Sequence, residues 1–197
     1  AEPGEDAFGL LQIRDEVIEF EINPDRAYAL SLRGVAREAT LACARGGRTA
    51  KFVDPALRSS PEPNGDGYPV EIEDPVGCPV FVARTVTGFD PTATSPAWLT
   101  RRLVLSGMRP ISLAVDITNY VMLELGRPIH GYDADKLRGA LRVRRAHEGE
   151  RLTTLDSVDR ELSPEDLVVT DDTGIIGLGG VMGGESTEIS ATTRRIL

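Results

Sequence analysis

The chain has 197 residues, 41% hydrophobic and 27% charged, with 22 Lys and Arg against 31 Asp and Glu for a net charge of −9. A chain of this length buries about 70% of its unfolded surface, so a core forms without staples. Disordered, collagen-like and disulfide-framework classes are excluded, and the acidity argues against a dedicated nucleic-acid module held by phosphate contacts. Cys43 and Cys78 match no zinc spacing and read as the reduced thiols of a cytoplasmic protein. The opening Ala-Glu-Pro-Gly-Glu-Asp is no secretory signal, and the chain reads as a piece of a longer polypeptide. The longest uncharged stretch, 174–184, is far short of the ~18 apolar residues of a membrane span, so no membrane partner is expected.

In chain order, residues 17–22 alternate apolar and acidic side chains, as a strand with one wet face does, and Asn23-Pro24-Asp25 ends the run. A helix is expected from about Ser31, with Leu32, Val35, Ala36, Ala39 and Cys43 on one stripe and Gly46-Gly47 at its end. Cys43 is expected in the core as a small apolar residue. Residues 55–67 read as a surface loop, and 68–73 and 80–89 as strands. A second helix has Ser95 as N-cap, Pro96 at its first position and Gly107 past its end. A third spans 112–125, closed by Gly126 and Pro128, with Ile117, Tyr120 and Val121 on one face. The last third reads as strands with short turns: 141–145, 152–155, and then 168–170 and 175–178 around Asp171-Asp172-Thr173-Gly174. The expected fold class is α+β, with β-rich mixed sheet layers and a few helices. One composite domain is expected, with approximate lobes 1–108 and 109–197.

Charge is uneven along the chain. Residues 101–151 hold ten Arg and Lys against six Asp and Glu, while the remainder holds twelve against twenty-five. That stretch is either a basic face able to touch a phosphate backbone or part of a solvated mixed surface. Several catalytic motifs are absent. Residues 177–184 are glycine-rich, but Met182 stands where a dinucleotide fingerprint needs glycine. There is no P-loop and no nucleophile elbow, and His130 and His147 have no partner at metal-ligand spacing, so no metal is expected. What remains is a polar constellation: Asp116, Thr118 and Asn119 on the third helix, His130 past its end, and Glu185 after the glycines. Gly179, Gly180, Gly183 and Gly184 permit positive φ or close approach of the backbone. Either they aim the Glu185 carboxylate into a cavity, or they make a tight turn with Glu185 solvated. His130 alone is equally compatible with a structural role, and Thr118 and Asn119 with satisfying backbone groups.

Three blocks carry a family resemblance. The first is Glu-Phe-Glu-Ile-Asn-Pro-Asp-Arg-Ala at 19–27, with Leu-Ser-Leu-Arg-Gly-Val-Ala-Arg-Glu at 30–38. The second is Arg-Pro-Ile-Ser at 109–112, continued by Val-Asp-Ile-Thr-Asn-Tyr-Val-Met-Leu-Glu-Leu-Gly-Arg-Pro-Ile-His at 115–130. The third is Gly-Val-Met-Gly-Gly-Glu-Ser at 180–186. In this order, and over nearly the whole chain, they resemble the third and fourth domains of the beta subunit of bacterial phenylalanyl-tRNA synthetase, its editing module. The resemblance implies hydrolysis of the ester of mischarged Tyr-tRNA(Phe), and no aminoacylation by this stretch alone. It implies His130, Asn119 and Thr118 as catalytic residues. Glu185 is implied as the acceptor for the tyrosine hydroxyl, with Gly180, Gly183 and Gly184 lining the substrate site. No cofactor is implied for this stretch; ATP and magnesium are expected only for the full synthetase. The implied partners are the 3′ end of tRNA(Phe) and, through the full-length beta chain, the synthetase alpha subunit in a heterotetramer. Leu113 stands where many relatives have Asn, which puts a neighbouring contact in doubt. A reading of a different class is a non-catalytic structural and tRNA-docking module of the same enzyme.

Overall fold

Local capping signals set the helices. In the computed structural model, which describes residues 2–10 and 14–197, a short helix α1 (Ala7–Leu10) precedes α2 (Leu32–Arg45). The Ser31 hydroxyl oxygen accepts the Gly34 N–H at 3.1 Å, satisfying one of the free donors of the first turn of α2. Gly47 takes the left-handed conformation past its end, at φ 71°. Next come α3 (Ala97–Leu105) and α4 (Leu113–Leu125), which Gly126 closes at φ 72°. α3 packs on α4, and α4 on α2.

Two details of the helices differ from expectation. Pro96, rather than Ser95, occupies the N-cap position of α3. The Ser95 hydroxyl instead donates to the carboxylate of Asp116, which also accepts the Ile111 N–H at 2.8 Å. Asp116 is thus buried with two partners and ties the start of α4 to the chain around it. On α2 the expected stripe is poorly covered: Gly34 is its buried residue, Leu32 is exposed, and Cys43 is half-buried rather than in the core.

Nine strands occur among the described residues: β1 (Val70–Ile72), β2 (Val86–Thr87), β3 (Leu141–Arg145), β4 (Arg151–Thr153), β5 (Asp159–Glu161), β6 (Leu167–Asp171), β7 (Gly174–Leu178), β8 (Met182–Gly183) and β9 (Arg195–Ile196). Five form one mixed sheet in the order β1-β3-β6-β7-β8. The β1–β3 pair is parallel, with Val70 opposite Leu141, and the other three pairs are antiparallel. β2 pairs with β9, and β4 with β5. The central strand β6 is buried on both faces: Val169 packs with Leu141, Val143 and Ile176, whereas Val168 packs with Ala146, Leu152 and Leu162. The fold is therefore α+β.

The run at 17–22 is not a strand. It has no ladder partner among the described residues, and Val17 and Ile18 are 64% and 74% exposed. Alternation marks a face able to pack, but a strand also needs a neighbour for its N–H and C=O groups. For the same reason the expected strand at 80–89 shrinks to the two residues of β2, leaving Val80 and Val82 exposed.

Candidate functional site

After Gly126 and Pro128 the chain cannot continue α4, and it passes in extended form beneath the C-terminus. Tyr132 exchanges both backbone hydrogen bonds with Leu197, at 2.8 and 3.0 Å, and the Ala134 N–H donates to the Arg195 carbonyl. Buried Asp133 anchors this segment: its carboxylate accepts the Thr193 hydroxyl at 2.7 Å, and its N–H donates to the Thr187 carbonyl at 3.0 Å. His130 is held at the head of the segment by an edge-to-face contact with Tyr132, with centroids 4.6 Å apart.

The His130 ring occupies the space that a side chain at position 183 would need. A Cβ there would lie 2.1 Å from Cε1 and 2.3 Å from Nε2 of His130. At Gly184 the obstacle is main chain, since a Cβ would lie 2.8 Å from the Ile176 carbonyl oxygen, which accepts the Gly184 N–H. Of these site glycines only Gly180 takes positive φ, at 73° in the turn between β7 and β8; Gly183 and Gly184 answer close approach alone.

Glu185 follows at once and opens a single 3-10 turn, Glu185–Thr187. Its side chain is exposed and has no hydrogen bond or ion pair among the described residues. Partial burial of its ring against Gly183 and Tyr132 lowers the His130 pKa from its ordinary 6.5, although the residue as a whole is exposed. Burial pushes the Tyr132 phenol up to about 12.

His130 and Gly183 are thus in contact, with Gly184 and Glu185 next along the chain. Thr118 and Asn119 lie on α4. The Thr118 hydroxyl donates to the Val115 carbonyl at 2.8 Å, and the half-buried Asn119 amide has no hydrogen-bond partner among the described residues. No hydrogen bond joins either of them to His130 or Glu185. Tyr132 and Asp133, which fix the His130 segment, escaped the sequence reading. Their signal was adjacency: in an extended segment the residues just after His130 alternate between seating its ring and anchoring the backbone.

Folding pairs half of the basic stretch with acids. Arg101 pairs with Asp15, Arg142 with Glu71 and Asp172, Arg144 with Glu150, Arg145 with Asp74, and Arg151 with Asp159 and Glu161. Five of its ten cations are ion-paired in this way, four of them with acids from outside the stretch. Among the described residues no group of three or more His, Cys, Asp or Glu could hold a metal ion, and no helix is long and apolar enough to cross a membrane.

Residues 77–197 match the model of the B3/4 domain family. The phenylalanine–tRNA ligase beta subunit of Streptomyces avermitilis is 59% identical over 97% of this chain and 22% of its own length. That of Nocardia farcinica is 54% identical over 100% of this chain and 23% of its own length. The chain therefore spans less than a quarter of the curated relatives it matches. An N-terminal fragment of the phenylalanyl-tRNA synthetase beta-subunit from Pyrococcus horikoshii aligns with a TM-score of 0.46 and 14% identity, over 87% of this chain and 51% of that one. With the His130 segment, the glycine run and every strand from β2 onward inside the matched stretch, the chain belongs to the B3/4 domain family, in the form found in bacterial phenylalanine–tRNA ligase beta subunits.

Proposed function

We propose that this domain edits: it hydrolyses the ester of Tyr-tRNA(Phe) as part of a phenylalanine–tRNA ligase. The observation that carries this reading is the His130 imidazole seated on Gly183, two residues before an uncommitted Glu185 carboxylate. Hydrolysis of an activated ester needs a positioned water, a proton acceptor and a way of holding the acyl group. Because its pKa is lowered, His130 is neutral at physiological pH, so it can accept a hydrogen bond or a proton from water. Tyrosine exceeds phenylalanine by one hydroxyl, so a pocket that admits tyrosine admits both, and selectivity must come from a group that would go unpaired with phenylalanine. A carboxylate accepting from the phenol is such a group, and sites built on a substrate hydroxyl discriminate by roughly 10⁴–10⁵. In this scheme the free Asn119 amide and the remaining lone pair of Thr118 hold the amino or ester group of the substrate.

The chemistry calls for no cofactor in this domain; ATP and magnesium belong to aminoacylation by a full synthetase. The partners in this reading are the 3′ end of tRNA(Phe) and, through the complete beta chain, an alpha subunit. The alternative, a non-catalytic tRNA-docking module, is weakened by the ion pairing that consumes half of the basic stretch. The test is the rate at which full-length enzyme clears Tyr-tRNA(Phe). Glu185→Ala is expected to slow clearance by roughly 100-fold with the melting temperature unchanged, because an exposed group is removed without opening a cavity. Clearance by Glu185→Ala at the parental rate would overturn the reading.

A further inference from the structure

A cavity of about 510 Å³ lies away from His130, between α2, α3, α4 and residues 52–55. Its volume is within the roughly 300–1,000 Å³ usual for small-molecule sites. Leu32, Ala36, Phe52, Leu105 and Leu123 make its apolar lining. Among its polar groups, Arg33 is committed to a two-point ion pair with Asp54, at 2.8 and 2.6 Å, and the Ser106 hydroxyl donates to the Arg102 carbonyl. Arg102 and Glu124 remain, and neither forms an ion pair among the described residues.

These two charges are bridged by one phenol. Arg102 donates to the Tyr120 hydroxyl at 2.6 Å, and that hydroxyl donates to Glu124 at 3.2 Å, which holds the charged ends within about 6 Å of each other. The guanidinium also lies over the rings of Trp98 and Tyr120, at 5.3 and 5.7 Å, so its position is fixed before any ligand arrives. We propose that this cavity binds a free α-amino acid with a large apolar side chain, its carboxylate on Arg102, its ammonium on Glu124 and its side chain against the leucines and Phe52.

Charge complementarity selects this occupant. An apolar polypeptide segment laid in the cavity would cover an unpaired guanidinium and an unpaired carboxylate, a costly arrangement. A phosphate would suit Arg102 and be repelled by Glu124. A zwitterion pairs both charges and leaves an apolar remainder for the apolar lining.

The test is isothermal titration of L-leucine and L-phenylalanine into the full-length polypeptide that carries this chain, repeated in a Glu185→Ala background to separate this cavity from the proposed editing site. Both amino acids are expected to bind in both backgrounds, and N-acetyl-L-phenylalaninamide, which lacks both charges, at least tenfold more weakly. Arg102→Met and Glu124→Gln should each weaken binding tenfold or more, and Ala36→Phe, which fills the cavity, should abolish it. Three results would overturn the proposal: equal affinity for the capped compound, loss of binding on Glu185→Ala with Arg102→Met silent, or no saturable binding of either amino acid. The last is the outcome if another segment of the polypeptide fills the cavity.

Discussion

Replacing Gly183 and Gly184 one at a time by alanine separates a residue that seats a functional ring from one that holds strands together. At 183 the new methyl meets the far end of the His130 side chain, which is open to solvent on one side and can swing away. The loss is then the edge-to-face contact with Tyr132, about 0.5–1.5 kcal/mol. It is offset by about 0.4–1 kcal/mol, because alanine restricts the unfolded chain and position 183 does not need positive φ. Gly183→Ala should therefore change stability by less than about 1 kcal/mol. At 184 the methyl meets the carbonyl of Ile176 on β7, which cannot move without parting the strands. Overpacking costs about 1–3 kcal/mol, and strain on the 2.8 Å hydrogen bond from Gly184 adds about 1 kcal/mol. For a chain of this size Gly184→Ala should melt roughly 5–15 °C lower, and Gly183→Ala within about 4 °C of the parent.

Scanning calorimetry reads the stabilities, and an NMR titration of the His130 Cε1 proton reads where the ring has gone. In Gly183→Ala the His130 pKa should rise back toward 6.5, since the ring has left the contacts with Gly183 and Tyr132 that desolvate it. Clearance of Tyr-tRNA(Phe) should fall along with it. Equal melting temperatures for the two variants, or an unmoved His130 titration in Gly183→Ala, would refute the reasoning.

Two further outcomes follow from the charges. His130 has a folded pKa below its unfolded value of 6.5, so the unfolded chain takes up more protons as the pH falls. Stability from this source is complete above that value and is lost as the pH drops through 6.5, and His130→Phe should remove that part of the slope in urea midpoints between about pH 7.5 and 5.5. Glu150 is held down at about 2 by the Arg144 guanidinium, helped by the His147 N–H, from an ordinary 4.5. Its contribution is present above 4.5 and disappears as the pH falls toward 2, so Glu150→Gln should cost about 1–2 kcal/mol near neutrality and progressively less in acid.

What could be read in the sequence was local. Ser31 and Gly126 mark helix ends because a cap involves residues three or four apart, and the structure places α2 and α4 within a residue of expectation. Ser95 misled because its hydroxyl had a better acceptor in Asp116, 21 positions away. The strands at 17–22 and 80–89 failed for the same reason in reverse, since a pattern ready to pair found no partner. At the candidate site the glycine run was visible. Its cause at 183 was not, because His130 lies 53 positions earlier and only folding sets one upon the other. The ion pairs within the basic stretch were equally out of view, because acids as distant as Asp15, Glu71 and Asp74 return to pair with Arg101, Arg142 and Arg145.

β1 lies before residue 77, where the matched family region starts, yet it is the outermost strand of the sheet that the region builds. A truncation at that boundary would strip β3 of its outer neighbour, freeing the Leu141 N–H from Pro69 and the Val143 carbonyl from Glu73. The same cut would take Glu71 and Asp74 away from Arg142 and Arg145. An uncovered edge bearing Leu141 and Val143 is a template for other chains, so the shortened protein would invite self-association. A soluble excised domain therefore has to begin upstream of Tyr68, whose hydroxyl bonds to the Gly139 carbonyl and fastens the approach to that strand.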